Sequence, residues 1–225
     1  MNTFSKTEPW FATETILREY LIRARPYLKG RMLDAGCGAR RYKDLFDFES
    51  YVGLEYDSKF EPDVIGDLRG TPFPDEAFDS ILNNQVLEHI DDTQKVFSEF
   101  RRILKPGGYL CLTVPFIARL HEVPHDYWRM SEFGIRHLFE KHGFEEIEIT
   151  NMGGFMTTQA YLWQFWLWER LAKGRLRRHI RKPLMWITNY LFLFIHRRDR
   201  DKTTPFNYFA IGRKRTKAES SEMTT

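Results

Sequence analysis

The sequence predicts an α/β fold built on a parallel sheet, and three observations carry that reading. A short strand-like run, Arg31 to Leu33, leads into Asp34-Ala35-Gly36-Cys37-Gly38, a two-glycine turn ahead of a helix-forming run. A second short strand, Tyr51-Val52-Gly53-Leu54-Glu55, ends on an acid about 20 residues further along. Beyond it, short strands alternate with helices, the order that produces parallel sheets.

Each observation has a physical reason. The turn needs glycine because its backbone must take tight, partly positive-φ geometry and admit a ligand without a Cβ in the way. An acid at the end of the second strand stands where a nucleotide-binding α/β fold puts the carboxylate that accepts from ribose hydroxyls. Either signal alone is weak; the pair at this spacing points to a nucleotide-type ligand.

At 225 residues the chain holds one full α/β domain with little left for a second. A net charge of +3 is too mild to imply nucleic-acid binding. Two cysteines, Cys37 in the turn and Cys111 in a predicted strand, make no disulfide framework and suit a reducing cytoplasm. Met1 to Glu8 lacks the apolar run of a secretory signal.

Along the chain, Trp10 to Tyr27 reads as an amphipathic helix with Ile16, Leu17, Tyr20 and Leu21 on one face. It reads as a cover for the sheet, with a flap over the ligand as the alternative. A helix from about Thr93 to Leu104, capped by Asp91 or Asp92, is expected to stop at Pro106-Gly107-Gly108. Another starts at Ser131 and closes at Gly143, followed by a strand from Phe144 to Thr150. Phe206 to Gly212 reads as the final strand, and the polar tail as disordered.

The order Gly36-Cys37-Gly38, Pro72-Phe73-Pro74-Asp75, Val86-Leu87-Glu88-His89, Leu104-Lys105-Pro106-Gly107-Gly108 and His121 to Arg129 resembles the class I S-adenosylmethionine-dependent methyltransferases, in their small bacterial branch. The resemblance covers roughly residues 15 to 150 plus the last strand. It implies a Rossmann-like sheet of seven strands, mostly parallel with the last antiparallel, and helices on both faces. It also implies the cofactor, S-adenosyl-L-methionine, and its contacts. Asp34, Gly36 and Gly38 would hold the methionine end, and Glu55 the ribose. Asp67 with the Leu68 backbone would meet the adenine edge, and Asn83 would lie against the methionyl portion. The family turn is Gly-x-Gly-x-Gly, and Arg40 replaces its last glycine. An inward Arg40 would obstruct the cofactor, although the branch often lacks that glycine.

His121-Glu122-Val123-Pro124-His125 fits the zinc-protease pattern H-E-x-x-H. That pattern needs both histidines on one helix face, and Pro124 inside the span disfavours a helix. No metal is expected. The segment reads better as a substrate-facing loop after the fifth strand. Within it His121 or His125 would accept a proton from a hydroxyl nucleophile, and Arg129 would steady an anionic group. The alternative makes Asp126 and Arg129 a structural pair beside solvated histidines. For His89 a structural role is the expectation.

Between the last two strands lies an insertion, roughly 153–205. Tyr161, Trp163, Phe165, Trp166 and Trp168 open it; Lys173, Arg175, Arg177, Arg178, Arg181 and Lys182 follow; Pro183 starts a second apolar run to Ile195. Aromatic and basic residues together suit the lipid interface. The second run, about 20 Å long as a helix, is too short for a hydrocarbon core of about 30 Å. Contact with a membrane surface through 155–198 is the reading; a soluble lid or a dimer face is the alternative.

These expectations divide the chain into an N-terminal helical cap (1–30), a methyltransferase core (31–152 and 206–213), an aromatic and basic helical insertion (153–205) and a tail (214–225). They describe a cytoplasmic enzyme, peripheral on the inner face of the membrane, that methylates oxygen on a small hydrophobic or lipid-linked acceptor. Nucleic acid is not expected as a partner, since Asn83-Asn84-Gln85-Val86 lacks the acceptor-base motif of nucleic-acid methyltransferases. A dehydrogenase is disfavoured because Arg41 stands where its third glycine would be. A non-catalytic binding protein on the same fold is the rival that Arg40 leaves open.

Overall fold

A computed structural model describes residues 4–171 and 175–216, the side chains of 175–178 excepted. Lys173, the side chains of Arg175, Arg177 and Arg178, Met1 to Thr3 and most of the expected tail therefore lie outside the described residues. The chain divides into two compact units: 1–21, 116–119 and 151–207 form one, and 22–115, 120–150 and 208–225 the other.

In chain order the elements are α1 (Trp10–Arg23), β1 (Arg31–Ala35), β2 (Ser50–Glu55), β3 (Val64–Ile65), β4 (Phe78–Asn84), α2 (Thr93–Ile103), β5 (Leu104–Pro115), α3 (Glu132–Lys141), β6 (Phe144–Met152), α4 (Phe155–Arg170), α5 (Arg175–Arg198) and β7 (Asn207–Lys214). The seven strands form one sheet in the order β3-β2-β1-β4-β5-β7-β6. The β1, β2, β3, β4 and β5 neighbours pair in parallel. β7 runs antiparallel: at its end Lys214 Nζ donates to the Leu104 carbonyl at the start of β5, and Arg215 N to Gly143, just before β6. The strand order reverses at β1, between β2 and β4, which opens a crevice beyond the carboxyl ends of those strands.

The sheet core comes from the strands' alternation and from the apolar faces of two helices. Met32, Leu33, Ile81, Leu82, Leu110 and Leu112 are fully buried. On α2, Val96, Phe97, Phe100 and Ile103 are buried at helical spacing, and Phe97 meets Phe139 of α3 and Phe144 edge-on. Of the two candidate caps, Asp92 is the one used; its Oδ1 accepts from Lys95 N. Ser131 caps α3 by accepting from Gly134 N.

Three expectations about elements are corrected. Helix α1 ends at Arg23, short of Pro26. Helix α2 stops at Ile103, and Pro106-Gly107-Gly108 lies inside β5, where the pairing with β4 shifts register between Phe78 and Ser80. The extended backbone of Leu104 ends the helix, and Gly107, at φ +78, turns the extra residues of the bulge. No α-helix follows the glycine turn: Arg40 sits at φ +54, off the right-handed helical path, and only a 3-10 turn forms at Lys43–Leu45.

In the other unit, α1, α4 and α5 are joined through a buried polar knot. Asn189 of α5 is fully buried; its Oδ1 accepts from Ala12 N (3.2 Å) and Gln164 Nε2 (2.7 Å), and its Nδ2 donates to the Lys6 and Glu8 carbonyls. Around the knot Trp10 packs edge-on against Phe165 and Trp168. Asp199 and Asp201 cap α4, accepting from Thr157 N and Phe155 N, where negative charge also suits the helix dipole. Helix α5 is continuous through Pro183, so the basic residues from Arg175 onward and the second apolar run belong to one element. Among the described residues no helix is long and apolar enough to cross a membrane.

Truncating Asn189 leaves the buried Ala12 N–H without its acceptor and Gln164 Nε2 with the Pro9 carbonyl alone, and each lost buried bond costs about 1–3 kcal/mol. Asn189→Ala should lower stability by about 3 kcal/mol, read as an earlier midpoint in urea denaturation followed by tryptophan fluorescence.

Candidate active site

A cavity of about 890 Å³ opens at the carboxyl ends of β1, β2 and β4. That volume lies within the roughly 300–1,000 Å³ typical of small-molecule sites. Its walls come from the turn after β1, the end of β2, the Gly66–Arg69 segment, the turn after β4 and the loop bearing Glu122, His125 and Tyr127.

The turn after β1 explains its glycines. Gly36 is at φ +85, and a Cβ there would stand 2.5 Å from Val86 Cγ2 of the facing turn. Gly38 is also left-handed, and a Cβ there would meet nothing within 4 Å. One glycine thus permits close packing and the other leaves the cavity open. Glu55 ties the two loops together: its Oε2 accepts from Gly38 N (3.0 Å) and its Oε1 from Tyr56 N (2.8 Å).

Asp34 lies at the cavity but is nearly buried, and the Tyr51 hydroxyl donates to its Oδ2 at 2.7 Å. Burial pushes its pKa up to about 6, against the lowering effect of Tyr51. Asp67 and Leu68 line the wall too, and Arg69 grips both Asp67 oxygens while reaching Asp91 at 2.7 Å. This grip holds the Asp67 carboxyl below its usual pKa.

Asn83 does not reach the cavity. It is buried and donates from Nδ2 to the Ala35 carbonyl at 2.8 Å, while its neighbour Asn84, on the opposite face of the strand, lines the wall. Arg40 turns away from the cavity. Its Nη2 donates to Asp63 Oδ1 and the Glu61 carbonyl, while Ala39, Arg41 and Tyr42 form the lining. The obstruction feared from the missing third glycine is absent.

The loop after β5 is anchored to the turn after β4 by its backbone. Tyr127 N and Trp128 N donate to the Glu88 carbonyl, and Trp128 Nε1 to that of Ile90. Within the loop Asp126, 2% exposed on its side chain, holds Arg129 through Oδ1 at 2.6 Å and Oδ2 at 2.7 Å, and accepts from His121 N. The Arg129 guanidinium, aided by that amide, takes the Asp126 pKa down to about 2. Asp126 and Arg129 therefore form a close, bidentate ion pair. His125 lines the cavity with Nδ1 3.0 Å from the Tyr127 hydroxyl; His121 is not among the lining residues. Residues 120–131 contain no helix, so His121 and His125 do not share a helix face. Sequence reasoning passed over Tyr51 and Asn84, at or beside the cavity, and gave His89, which lines it, a structural role only.

A family model described as a methyltransferase domain matches residues 33–112, the span from the glycine turn into β5. The chain is 30% identical over 142 residues to an uncharacterized protein of Methanocaldococcus jannaschii, covering 54% of this chain and 67% of that one. It is 31% identical over 119 residues to a probable S-adenosylmethionine-dependent methyltransferase of Mycolicibacterium smegmatis, covering 47% and 45%. The chain thus spans two thirds of the first relative and under half of the second. Among solved structures it is similar in fold to Haemonchus contortus phosphoethanolamine N-methyltransferase 2 in complex with S-adenosyl-L-methionine, with TM-score 0.57, 21% identity, and coverage of 94% of this chain and 58% of that one. With the seven-stranded sheet, the crevice at its switch point and the carboxylate-lined glycine turn, these likenesses establish that the chain belongs to the class I S-adenosylmethionine-dependent methyltransferases and that its cofactor is S-adenosylmethionine.

Proposed function

We propose that the enzyme methylates oxygen on a small, hydrophobic or lipid-linked acceptor, such as a lipid-carried saccharide intermediate or a quinone-like phenol. The observation that carries the acceptor class is an exposed apolar stripe on α5. Trp186, Ile187, Tyr190, Leu191 and Phe194 are all exposed and recur at helical spacing, with Arg197 and Arg198 beyond them. Such a stripe edged by arginine suits the surface of an anionic membrane, where a lipid-linked acceptor would be met.

In this reading Asp34, Gly36 and Gly38 hold the methionine end of the cofactor and Glu55 its ribose. Asp67 and the Leu68 backbone face the adenine edge. Asn83 acts on the methionyl end from behind, through the Ala35 carbonyl that it fixes. S-adenosylmethionine held there would supply its sulfonium methyl for in-line transfer to the acceptor oxygen, with the C–S bond broken as the C–O bond is made and S-adenosylhomocysteine as the other product. His125, on the cavity wall, takes the acceptor's proton, and the Asp126–Arg129 pair keeps its loop in place. Most of the acceleration is assigned to positioning and to exclusion of water.

Calorimetric titration with S-adenosylmethionine at pH 7 should show binding that Glu55→Ala weakens about 30-fold or more, the cost of bonds to a charged carboxylate. The cofactor's ammonium group favours ionised Asp34, so binding selects the deprotonated form. Affinity should hold above pH 6 and fall as pH drops through about 6, about tenfold weaker at pH 5 than at pH 7. A pH-independent affinity would remove Asp34 from the methionine end.

With methyl-labelled cofactor and a lipid extract, label should pass into the organic phase, and His125→Ala should slow this by about 100-fold or more at unchanged cofactor affinity. Label found only in water-soluble products would overturn the acceptor class. In flotation with vesicles containing anionic lipid the protein should rise with the vesicles. Replacing both Trp186 and Leu191 by Ser should abolish this, and equal flotation of the variant would reject the membrane role of α5.

A further inference from the structure

One cluster beside the cavity is not used by methyl transfer as described. Glu88, His89 and His121 each offer a ligand atom within 4.8 Å of the others. Glu88 is 1% exposed, and neither carboxylate oxygen has a hydrogen-bond partner among the described residues. A carboxylate buried without hydrogen-bond partners costs several kcal/mol unless it is paired or coordinates a metal ion.

Two imidazoles approach it. His89 Nε2 and His121 Nε2 each lie 3.7 Å from Glu88 Oε1, too far for a hydrogen bond. The far side of each ring faces an acceptor. His89 Nδ1 is 2.7 Å from the His125 carbonyl oxygen, which can only accept, so the proton of the neutral ring sits on Nδ1 and the Nε2 lone pair faces Glu88. His121 Nδ1 is 3.5 Å from Asp126 Oδ2, the carboxylate held by Arg129. A carbonyl and a carboxylate behind two imidazoles are the partners that orient metal-ligating histidines. In a tetrahedral site with bonds of about 2.0–2.1 Å, neighbouring donor atoms stand about 3.4 Å apart. A contraction of a few tenths of an ångström at each 3.7 Å pair would reach that spacing.

We propose that Glu88, His89 and His121 bind one divalent transition-metal ion of the zinc class. Two imidazole nitrogens and one carboxylate oxygen form a three-residue set that leaves a coordination position for water or another oxygen donor. The exposed Glu122 carboxylate, 4.0 Å from His89 Nε2, adds negative potential at its rim. His125, the second histidine of H-E-x-x-H, contributes its backbone carbonyl instead of its ring. The site is additional to the cofactor and acceptor contacts, and its occupancy is tested without them.

The test uses untagged protein, stripped with chelator and titrated with Zn²⁺ or Co²⁺ alone, by calorimetry and by cobalt d–d absorption. The expected result is one equivalent of Zn²⁺, with cobalt bands of a four- or five-coordinate site. Glu88→Gln and His121→Ala should each weaken Zn²⁺ binding by about 100-fold, and His125→Ala by less than about twofold, since it keeps the carbonyl. S-adenosylmethionine titration of each variant reports folding and keeps this test separate from the methyltransfer reading. Equal Zn²⁺ affinity in wild type and both ligand variants would overturn the proposal, leaving an adventitious ion only. Loss confined to His125→Ala would overturn it in favour of a surface histidine pair.

Discussion

The cavity depends on one close approach, the Gly36 backbone against the Val86 side chain. With a Cβ 2.5 Å from Val86 Cγ2, any other residue would force apart the turns that follow β1 and β4. These two strands are neighbours in the sheet and lie where its order reverses. Their turns therefore set the floor of the crevice, and Asn83 reinforces the spacing by joining β4 to the last carbonyl of β1. Glu55 adds a third strand to the frame by accepting from the Gly38 amide. The cofactor end of the site is thus fixed mainly by backbone, with carboxylates placed on it.

The wall that follows β5 is built differently. Its loop contributes no strand or helix; it is held by Tyr127 and Trp128 amides on one carbonyl, that of Glu88. The Asp126–Arg129 pair stiffens the loop from within. The residue whose backbone anchors the loop therefore also carries the buried carboxylate that faces two histidines.

Much of this was legible in the sequence because it is local. The glycine turn, the acid ending β2, the Ser131 cap and the alternation of strands with helices each leave a mark within a few residues. What escaped involves distant segments or competing local signals. Pro106-Gly107-Gly108 reads as a helix stop, yet the break falls at Leu104 and those residues are taken up by a bulge in β5. Pro183 reads as a start, yet α5 runs through it because the helix packs on α4 and α1 around Asn189. Arg40 reads as an obstacle because sequence does not disclose that Asp63, 23 positions on, draws it outward. His89 and His121 stand 32 positions apart, and only the loop anchoring brings their rings to 4.7 Å.

The order β5-β7-β6 has a consequence for how such a protein can diversify. Because β6 and β7 are adjacent and β7 runs back along β6, the segment between them leaves and re-enters the sheet at neighbouring points. Closing a loop across so short a gap costs little more as the loop lengthens, roughly 0.6 kcal/mol per doubling. The α4–α5 segment can therefore lengthen at little cost in loop closure, provided the Asn189 contacts that tie it to α1 are kept.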